Sequence, residues 1–404
     1  MGMNADRETT SPDTGRVDEV FLAFLKLGLT SFGGPIAHLG YFRDELVLRR
    51  KWVSEDAYAE LVALCQFLPG PASSQTGFVL GLARAGPLGA IAAWTAFTLP
   101  SALLMLAVAS GASRLQGGVA AAAIHGLKLV AIVIVAQAVW GMARSLTPDL
   151  RRVTIAVAAA LVLGLWGGAT GQVAAIVIGG VAGLFLCRDL AASPAEGLPI
   201  RVSRRVGMTS LTLFGALLFS LPVMSAALGE PGWNLFDIFY RAGALVFGGG
   251  HVVLPLLRAE LVPTGLMTDD QFLAGYGAAQ ALPGPLFAIA GYLGPIAAGG
   301  AWGALPAILG VFLPGLLIVI GILPFWSHLR HNPVTRSIVA GVNAAVVGIL
   351  AMALYDPLWT TGIGSLADVA AVGAGLVALM RWHIPPITLV VAMVGFSAVG
   401  ATLA

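Results

Sequence analysis

Charge is what this sequence has least of. Only 10% of its 404 residues are Asp, Glu, Lys or Arg, against roughly 25% in an average soluble domain, and a chain so poor in charge cannot clothe a water-facing surface. Its formal net charge of +2 is carried without a basic run, which excludes nucleic acid as the expected partner. Cysteine is almost missing. Cys65 and Cys187 both lie in apolar stretches, and neither has the spacing of a metal site or a disulfide framework. There is no Gly-Lys-Ser/Thr phosphate loop, no serine at a nucleophile elbow and no metal-spaced cluster of His, Cys and carboxylate. No cofactor is therefore expected, ATP-driven pumping is unsupported, and the chain is not read as an enzyme. Met1 to Glu19 is polar and of mixed charge, with no apolar core, so it reads as a disordered tail rather than a cleaved signal peptide.

Apolar residues make up 58% of the chain. From Val20 to the C-terminus they recur in stretches of about 20, each long enough to cross a ~30 Å hydrocarbon core as a helix. The lipid bilayer is the expected solvent. Membrane helices also tolerate the 52 glycines and 23 prolines, because neighbouring helices satisfy the backbone groups that these residues free. Spans are expected near 20–38, 87–110, 119–143, 150–167, 170–187, 208–228, 233–250, 301–323, 336–355, 363–380 and 385–403. Two further apolar stretches, 54–84 and 268–299, are each cut by Pro-Gly-Pro. Counting each as one broken span gives about thirteen crossings in an all-α polytopic membrane protein.

The chain repeats itself. Phe24 to Gly34 (FLKLGLTSFGG) matches Phe239 to Gly249 (FYRAGALVFGG), and Gln66 to Pro71 (QFLPGP) matches Gln280 to Pro285 (QALPGP). Glu45 matches Glu260, Ser54 matches Thr268, Pro100 matches Pro314 and Gly126 matches Gly341, at an offset that stays at 215 (34 to 249) or 214 (69 to 283). The expected organisation is a polar tail at 1–19, a first repeat at 20–190, a linker with one span at 191–232 and a second repeat at 233–404. An odd span between the repeats starts the second on the opposite face, which makes the repeats inverted. Lys and Arg agree: the loop after the first glycine pair carries Arg43, Arg49, Arg50 and Lys51, and its counterpart carries only Arg258, so the first is cytoplasmic and the second outside. The loops with Arg144, Arg151 and Arg152, or Arg201, Arg204 and Arg205, fit less cleanly. Inverted repeats with interrupted helices are the architecture of many secondary transporters, whose substrates bind near the bilayer midplane where the helices break.

The candidate site follows from those breaks. Gly33-Gly34-Pro35 and Gly248-Gly249-Gly250 end apolar runs where a helix must stop, although glycine pairs also serve as close-packing points between membrane helices. In Pro69-Gly70-Pro71 and Pro283-Gly284-Pro285 the second proline suits the first turn of a new helix, whose free N–H groups attract anions. Ser73, Ser74, Gln75 and Thr76 follow the first break, whereas Leu286 to Ile289 follow the second, so a single site would be weighted to the first half. Lys26 and Arg241 occupy matched positions inside apolar spans, about two turns before the glycines; Lys128 is a third intramembrane cation, with Asn343 as its counterpart. A cation at the centre of a span costs about 2.5–3.5 kcal/mol and calls for a partner, unless it snorkels to the headgroups. Stripping a dianion of water costs tens of kcal/mol, and a helix terminus returns only about 0.3–2, so one or two buried cations are expected to help hold it. The matched carboxylates Glu45 and Glu260 read either as proton relays or as ion-pair partners of Arg43 and Arg258. His38, His125 and His251 read as hydrogen-bonded structural histidines by default.

At these residues the sequence resembles the chromate ion transporter family, in its long two-domain form. The resemblance rests on Phe32-Gly33-Gly34-Pro35 with the following His38, Phe247 to His251 (FGGGH), and Leu-Pro-Gly-Pro at 68–71 and 282–285, and extends over everything from Val20 onward. It implies secondary active efflux of chromate across the cytoplasmic (inner) membrane, with chromate resistance as the outcome and sulfate, alike in shape and charge, as the natural competitor. The residues themselves specify only an anion. The expected binding set is Lys26, Ser31, Gly33, Gly34, Pro35, Gln66, Pro69, Gly70, Pro71, Ser73, Ser74, Lys128, Arg241, Gly248, Gly249, Gly250, His251, Gln280, Pro283, Gly284 and Pro285, with Glu45 and Glu260 as proton couplers. Uptake or exchange of another oxyanion, a passive anion channel and an intramembrane enzyme acting on lipid phosphate stay open beside it, as does pairing of two copies in a homodimer.

Overall fold

A computed structural model describes residues 16–112, 118–188 and 202–403. The polar tail up to residue 15, residues 113–117, and 189–201, where the expected first repeat ends and the expected linker begins, lie outside the described residues. Among those described there is no β-strand, and six helices are long and apolar enough to cross a membrane: Ala72–Gly111, Ala121–Leu146, Gly168–Leu186, Arg204–Leu228, Ala301–Leu329 and Pro333–Gly362.

The chain opens with two hairpins. α1 (Val17–Thr30) stops at the glycine pair, where Gly33 and Gly34 take φ of 95° and 78°, a region that only glycine enters freely. The chain reverses there into α2 (Gly34–Phe42), which continues as a π-helical turn over Arg43–Arg49. The reversal is closed at its open end, where Trp52 Nε1 donates to Glu19 Oε1 at 3.1 Å. α3 (Glu55–Phe67) starts at Ser54, whose hydroxyl accepts from the Ala57 N–H at 3.2 Å, and ends at Pro69-Gly70-Pro71. α4 (Ala72–Ala112) leads back out, and Arg84 Nη2 reaches the same Glu19 at 3.1 Å. After a kink at Ala85 and Gly86, α4 runs on as a long arm. α5 (Gly118–Leu146), α6 (Leu150–Trp166) and α7 (Gly168–Leu186) complete the first repeat, and α8 (Arg204–Leu228) joins it to the second.

The second repeat follows the same plan. α9 (Pro231–Ala244) and α10 (Val253–Leu261) form one hairpin, closed by Arg241 and Glu260; α11 (Asp269–Ala281) and α12 (Ala290–Ala298) form the other. α11 starts with a capping box between Thr268 and Gln271, at the position matching Ser54. Then come α13 (Ala304–Ile322), the short α14 (Trp326–Leu329), α15 (Pro333–Ala353), the short α16 (Thr360–Gly362), α17 (Leu366–Arg381) and α18 (Pro386–Leu403). The stretches 20–38, 54–84, 233–250 and 268–299 each turn back at their break instead of running through, because the glycines and prolines reverse the backbone.

The two repeats are interlocked rather than side by side. α1 packs on the long arm of α4, and α9 packs equivalently on α13. Gly28 makes the first approach possible: a Cβ there would stand 2.8 Å from the Phe97 carbonyl oxygen, and the matched Gly243 lies as tightly against the Val311 carbonyl. Beyond the hairpins the packing crosses over. α5 of the first repeat buries its face against α17 and α18 of the second, while α15 of the second is covered by α6 and α7 of the first. One core cluster accordingly joins α1–α4 residues to Leu316, Val319 and Trp326, and another joins Ile155 and Ile176 to Ala345 and Ile349.

Gly243→Ala drives a methyl into an unyielding backbone carbonyl, so overpacking is expected to remove about 1–3 kcal/mol. Gly40→Ala, where nothing lies within 4 Å, is expected to leave stability level or slightly raised. Thermal unfolding of the purified proteins in detergent checks both.

Candidate anion site

Lipid cannot hydrogen-bond a peptide group, so a helix broken inside a membrane protein must find partners for the backbone it frees. Here the two repeats supply them to each other. The Gly70 N–H donates to the Val246 carbonyl at 2.7 Å, and the Gly284 N–H donates to the Ser31 carbonyl at 2.9 Å. Gly70 and Gly284 are matched positions, and so are Ser31 and Val246 (offsets 214 and 215), which makes the two bonds images of one another. Gly70 and Gly284 have φ of 120° and 96°. A Cβ on Gly70 would stand 2.9 Å from Gly315 Cα, and one on Gly284 would stand 2.7 Å from Ser101 Oγ. Only glycine fits either place. The glycine pairs meet as well: positions built for side chains on Gly34 and Gly250 come within 4.0 Å of His251 Nε2 and 3.4 Å of Pro35 Cγ. All four breaks thus converge, bringing together Ser31, Gly33, Gly34, Pro35, Pro69, Gly70, Pro71, Gly248, Gly249, Gly250, His251, Pro283, Gly284 and Pro285.

Gln75 braces the first Pro-Gly-Pro. Its Nε2 donates to the Pro69 and Gly315 carbonyls, each at 2.9 Å. His38, 1% exposed, has Nδ1 at 3.4 Å from Ser73 Oγ and its ring edge-on to Phe97 at 5.4 Å. On the other side His251 Nδ1 lies 2.7 Å from the Tyr276 hydroxyl, which also meets Gln280. Gln66, the counterpart of Gln280, is exposed.

Several buried polar atoms around this junction have no partner: Ser31 Oγ, His38 Nε2, Ser74 Oγ, Trp94 Nε1 and Thr98 Oγ1. Each can present a proton to an acceptor. Buried donors left unpaired in a native protein are rare and call for an unseen partner. All five belong to the first repeat, and the matching positions in the second are Val246, Val253, Ala288, Ile308 and Phe312. The frame is duplicated; the polar lining is not. His38 enters the set from its default structural reading, and Trp94 and Thr98 enter it from a helix that carries no local motif. Comparing the repeats position by position for polar residues that face apolar counterparts would have found all three.

Each of the three expected cations stands against a carboxylate. Lys26 Nζ lies 2.9 Å from Glu45 Oε2, and Arg50 Nε and Arg49 Nη2 bond the other oxygen of the same carboxylate, Arg50 at 2.9 Å. Arg241 holds Glu260 at 2.7 Å and Asp237 at 3.1 Å. Lys128 pairs with Asp270 at 2.6 Å, across the repeats. Glu45 and Glu260 are therefore partnered by Lys26 and Arg241, while Arg43 and Arg258 close instead on Glu55 and Asp269, both at 2.7 Å. The reason is geometric. The helix reversal at each glycine pair lays residues 19 apart in sequence side by side, which distance along the chain conceals. Carboxylates fixed this way act as straps across the hairpins.

The family model described as "Chromate transporter" matches the chain twice, at residues 19–184 and 233–399. A chromate transport protein of Pseudomonas aeruginosa is 31% identical over 373 residues, covering 90% of this chain and 87% of its own. A probable chromate transport protein of Synechococcus elongatus is 31% identical over 364 residues (88% and 87%), and a chromate transport protein of Cupriavidus metallidurans is 29% identical over 349 (84% and 82%). No solved structure matches the chain.

Arg241→Ala leaves Asp237, 4% exposed, and Glu260 without their cation, so a loss of about 3–5 kcal/mol is expected. Lys26→Ala leaves Glu45 with Arg49 and Arg50 and removes a half-exposed side chain, so less than about 1 kcal/mol is expected. Chemical denaturation in detergent separates the two.

Proposed function

The chain belongs to the chromate transporter family, and on that premise we propose that it is a secondary transporter exporting chromate across the cytoplasmic membrane through the junction of the four helix breaks. The observation that carries this is the set of unpartnered buried donors at that junction. Hydroxyl, imidazole and indole groups converging in an apolar surround suit a small tetrahedral oxyanion with acceptors on every side, and sulfate competes for the same donors. Ser31, Ser73, Ser74 and the glycine–proline tips are the contacting residues in this reading, while Lys26, Arg241 and Lys128 hold the scaffold and set the local potential.

The repeats, at 20–190 and 233–404 with a linker span between, are proposed to be inverted. Two observations support this. The contacts are reciprocal, as in an isologous pair. The hairpins of the first repeat also meet those of the second tip to tip, and tips entering from one face of the bilayer meet the others at its midplane when those enter from the opposite face. The first repeat's hairpin ends, with Arg43, Arg49, Arg50, Lys51 and Arg84, then lie on the cytoplasmic side by the charge rule.

Direction follows from energetics. An inside-negative potential drives anions outward by about 2.3 kcal/mol per charge per 100 mV, about twice that for a dianion, so export runs with the field and uptake would have to oppose it. Removing the oxidant from the cytoplasm is the route to chromate resistance.

Inside-out vesicles energised to mimic the cell are expected to accumulate chromate, less so with excess sulfate, and a Ser31→Ala, Ser74→Ala double variant is expected to lose about tenfold in initial rate at equal expression, one neutral hydrogen bond being worth about 0.5–1.5 kcal/mol. Accumulation that never exceeds the ratio set by the membrane potential alone would identify a channel.

A further inference from the structure

A dianion buried at this junction needs a positive charge, and the fixed cations are not there to give it. Lys26, Arg241 and Lys128 each face a carboxylate. Among the residues of the four tips and their unpartnered donors, the groups able to acquire a positive charge are the histidines His38 and His251.

They are placed differently. His251 is tied through Nδ1 to Tyr276, and Tyr276 to Gln280. His38 keeps a fully buried Nε2 free of any side-chain partner, and its ring meets Ser73 through Nδ1, the Ser31 backbone and the Phe97 ring. The groups facing it from the surrounding elements are neutral. α4 presents Ser73 and Phe97. α3 presents Tyr58, whose hydroxyl donates to the carbonyl of the adjoining Leu39 at 2.6 Å. The tip between α9 and α10 presents His251, near Gly34. On its own strand of chain the next charge is Arg43, closed on Glu55. Burial among neutral groups favours an uncharged imidazole, and an anion in contact favours the imidazolium.

We propose that His38 takes up one proton from solution when the oxyanion binds beside it, so that the bound unit is a dianion on an imidazolium. This rests on the oxyanion reading of the junction and adds the source of the compensating charge. The proton moves from bulk water to the ring, leaving both ring nitrogens as donors, one toward Ser73 and one toward the anion. Binding is then linked to proton concentration, and affinity weakens as pH rises.

The test is calorimetry of chromate binding to the full-length protein in detergent at about pH 8, above the range in which an ordinary histidine titrates and where free chromate is already a dianion. Running it in two buffers of different ionisation heat counts the protons. One proton taken up per chromate bound is expected, as is its disappearance in His38→Gln, which keeps a neutral donor, with affinity at least about tenfold weaker. Binding without proton uptake in the unmodified protein overturns the proposal while leaving the oxyanion reading standing. Uptake that persists in His38→Gln and vanishes in His251→Gln overturns it too, by moving the proton to the other histidine. No chromate binding at all removes the oxyanion reading and the proposal with it. Where His38→Gln misfolds, His251→Gln decides: proton uptake retained in that variant supports His38, and uptake lost in it overturns the proposal.

Discussion

Everything in this fold is organised by the need to pair peptide groups freed where helices stop inside an apolar surround. A buried amide without a partner costs more than almost any packing contact returns. Four helix breaks would therefore be prohibitive if each stood alone. Two of the freed amides, at Gly70 and Gly284, are satisfied by carbonyls freed at the opposite breaks, beside Ser31 and Val246. The cost of one interruption is offset by another, and this works only if the breaks come in matched pairs on two repeats that face each other. Duplication of the sequence and the pairing of its helix breaks are in this sense one requirement.

The pairing also separates architecture from chemistry. Backbone bonds, glycine contacts and straps recur in both halves: Gly28 with Gly243, Lys26–Glu45 with Arg241–Glu260, Arg43–Glu55 with Arg258–Asp269. The polar lining at Ser31, His38, Ser74 and Thr98 has apolar counterparts. A frame with near two-fold symmetry thus carries a site without it. The second repeat contributes shape and a wall, and the first contributes most donors.

The sequence disclosed the frame well and the lining poorly. Breaks at Gly33-Gly34, Pro69-Gly70-Pro71 and their counterparts were visible because glycine and proline act locally, and the duplication was visible because its offset is constant. What those breaks do to the path of the chain was not, since glycine and proline signal a stop but not whether the chain goes on or turns back. That ambiguity hid the pairing of Lys26 with Glu45, which depends on the reversal. Thr98 and Trp94 sit in the unremarkable apolar run of α4, and they join the site only because Gly284 of the other repeat is pressed against Phe97 and Ser101.

The crossing-over of the last helices has a consequence for how the chain is made. Lys128 on α5 finds its carboxylate only at Asp270, and His125 finds its own only at Asp368, 2.9 Å away in the finished fold. The ribosome must add 142 more residues (270 minus 128) before the first of these partners exists, on the order of ten seconds or more at about 5–20 residues per second. Helix formation itself takes on the order of a microsecond. α5 is thus born as a helix long before its lysine can be neutralised, so the nascent protein must be held at the insertion machinery, or at the headgroup level, until its own C-terminal half arrives to complete it.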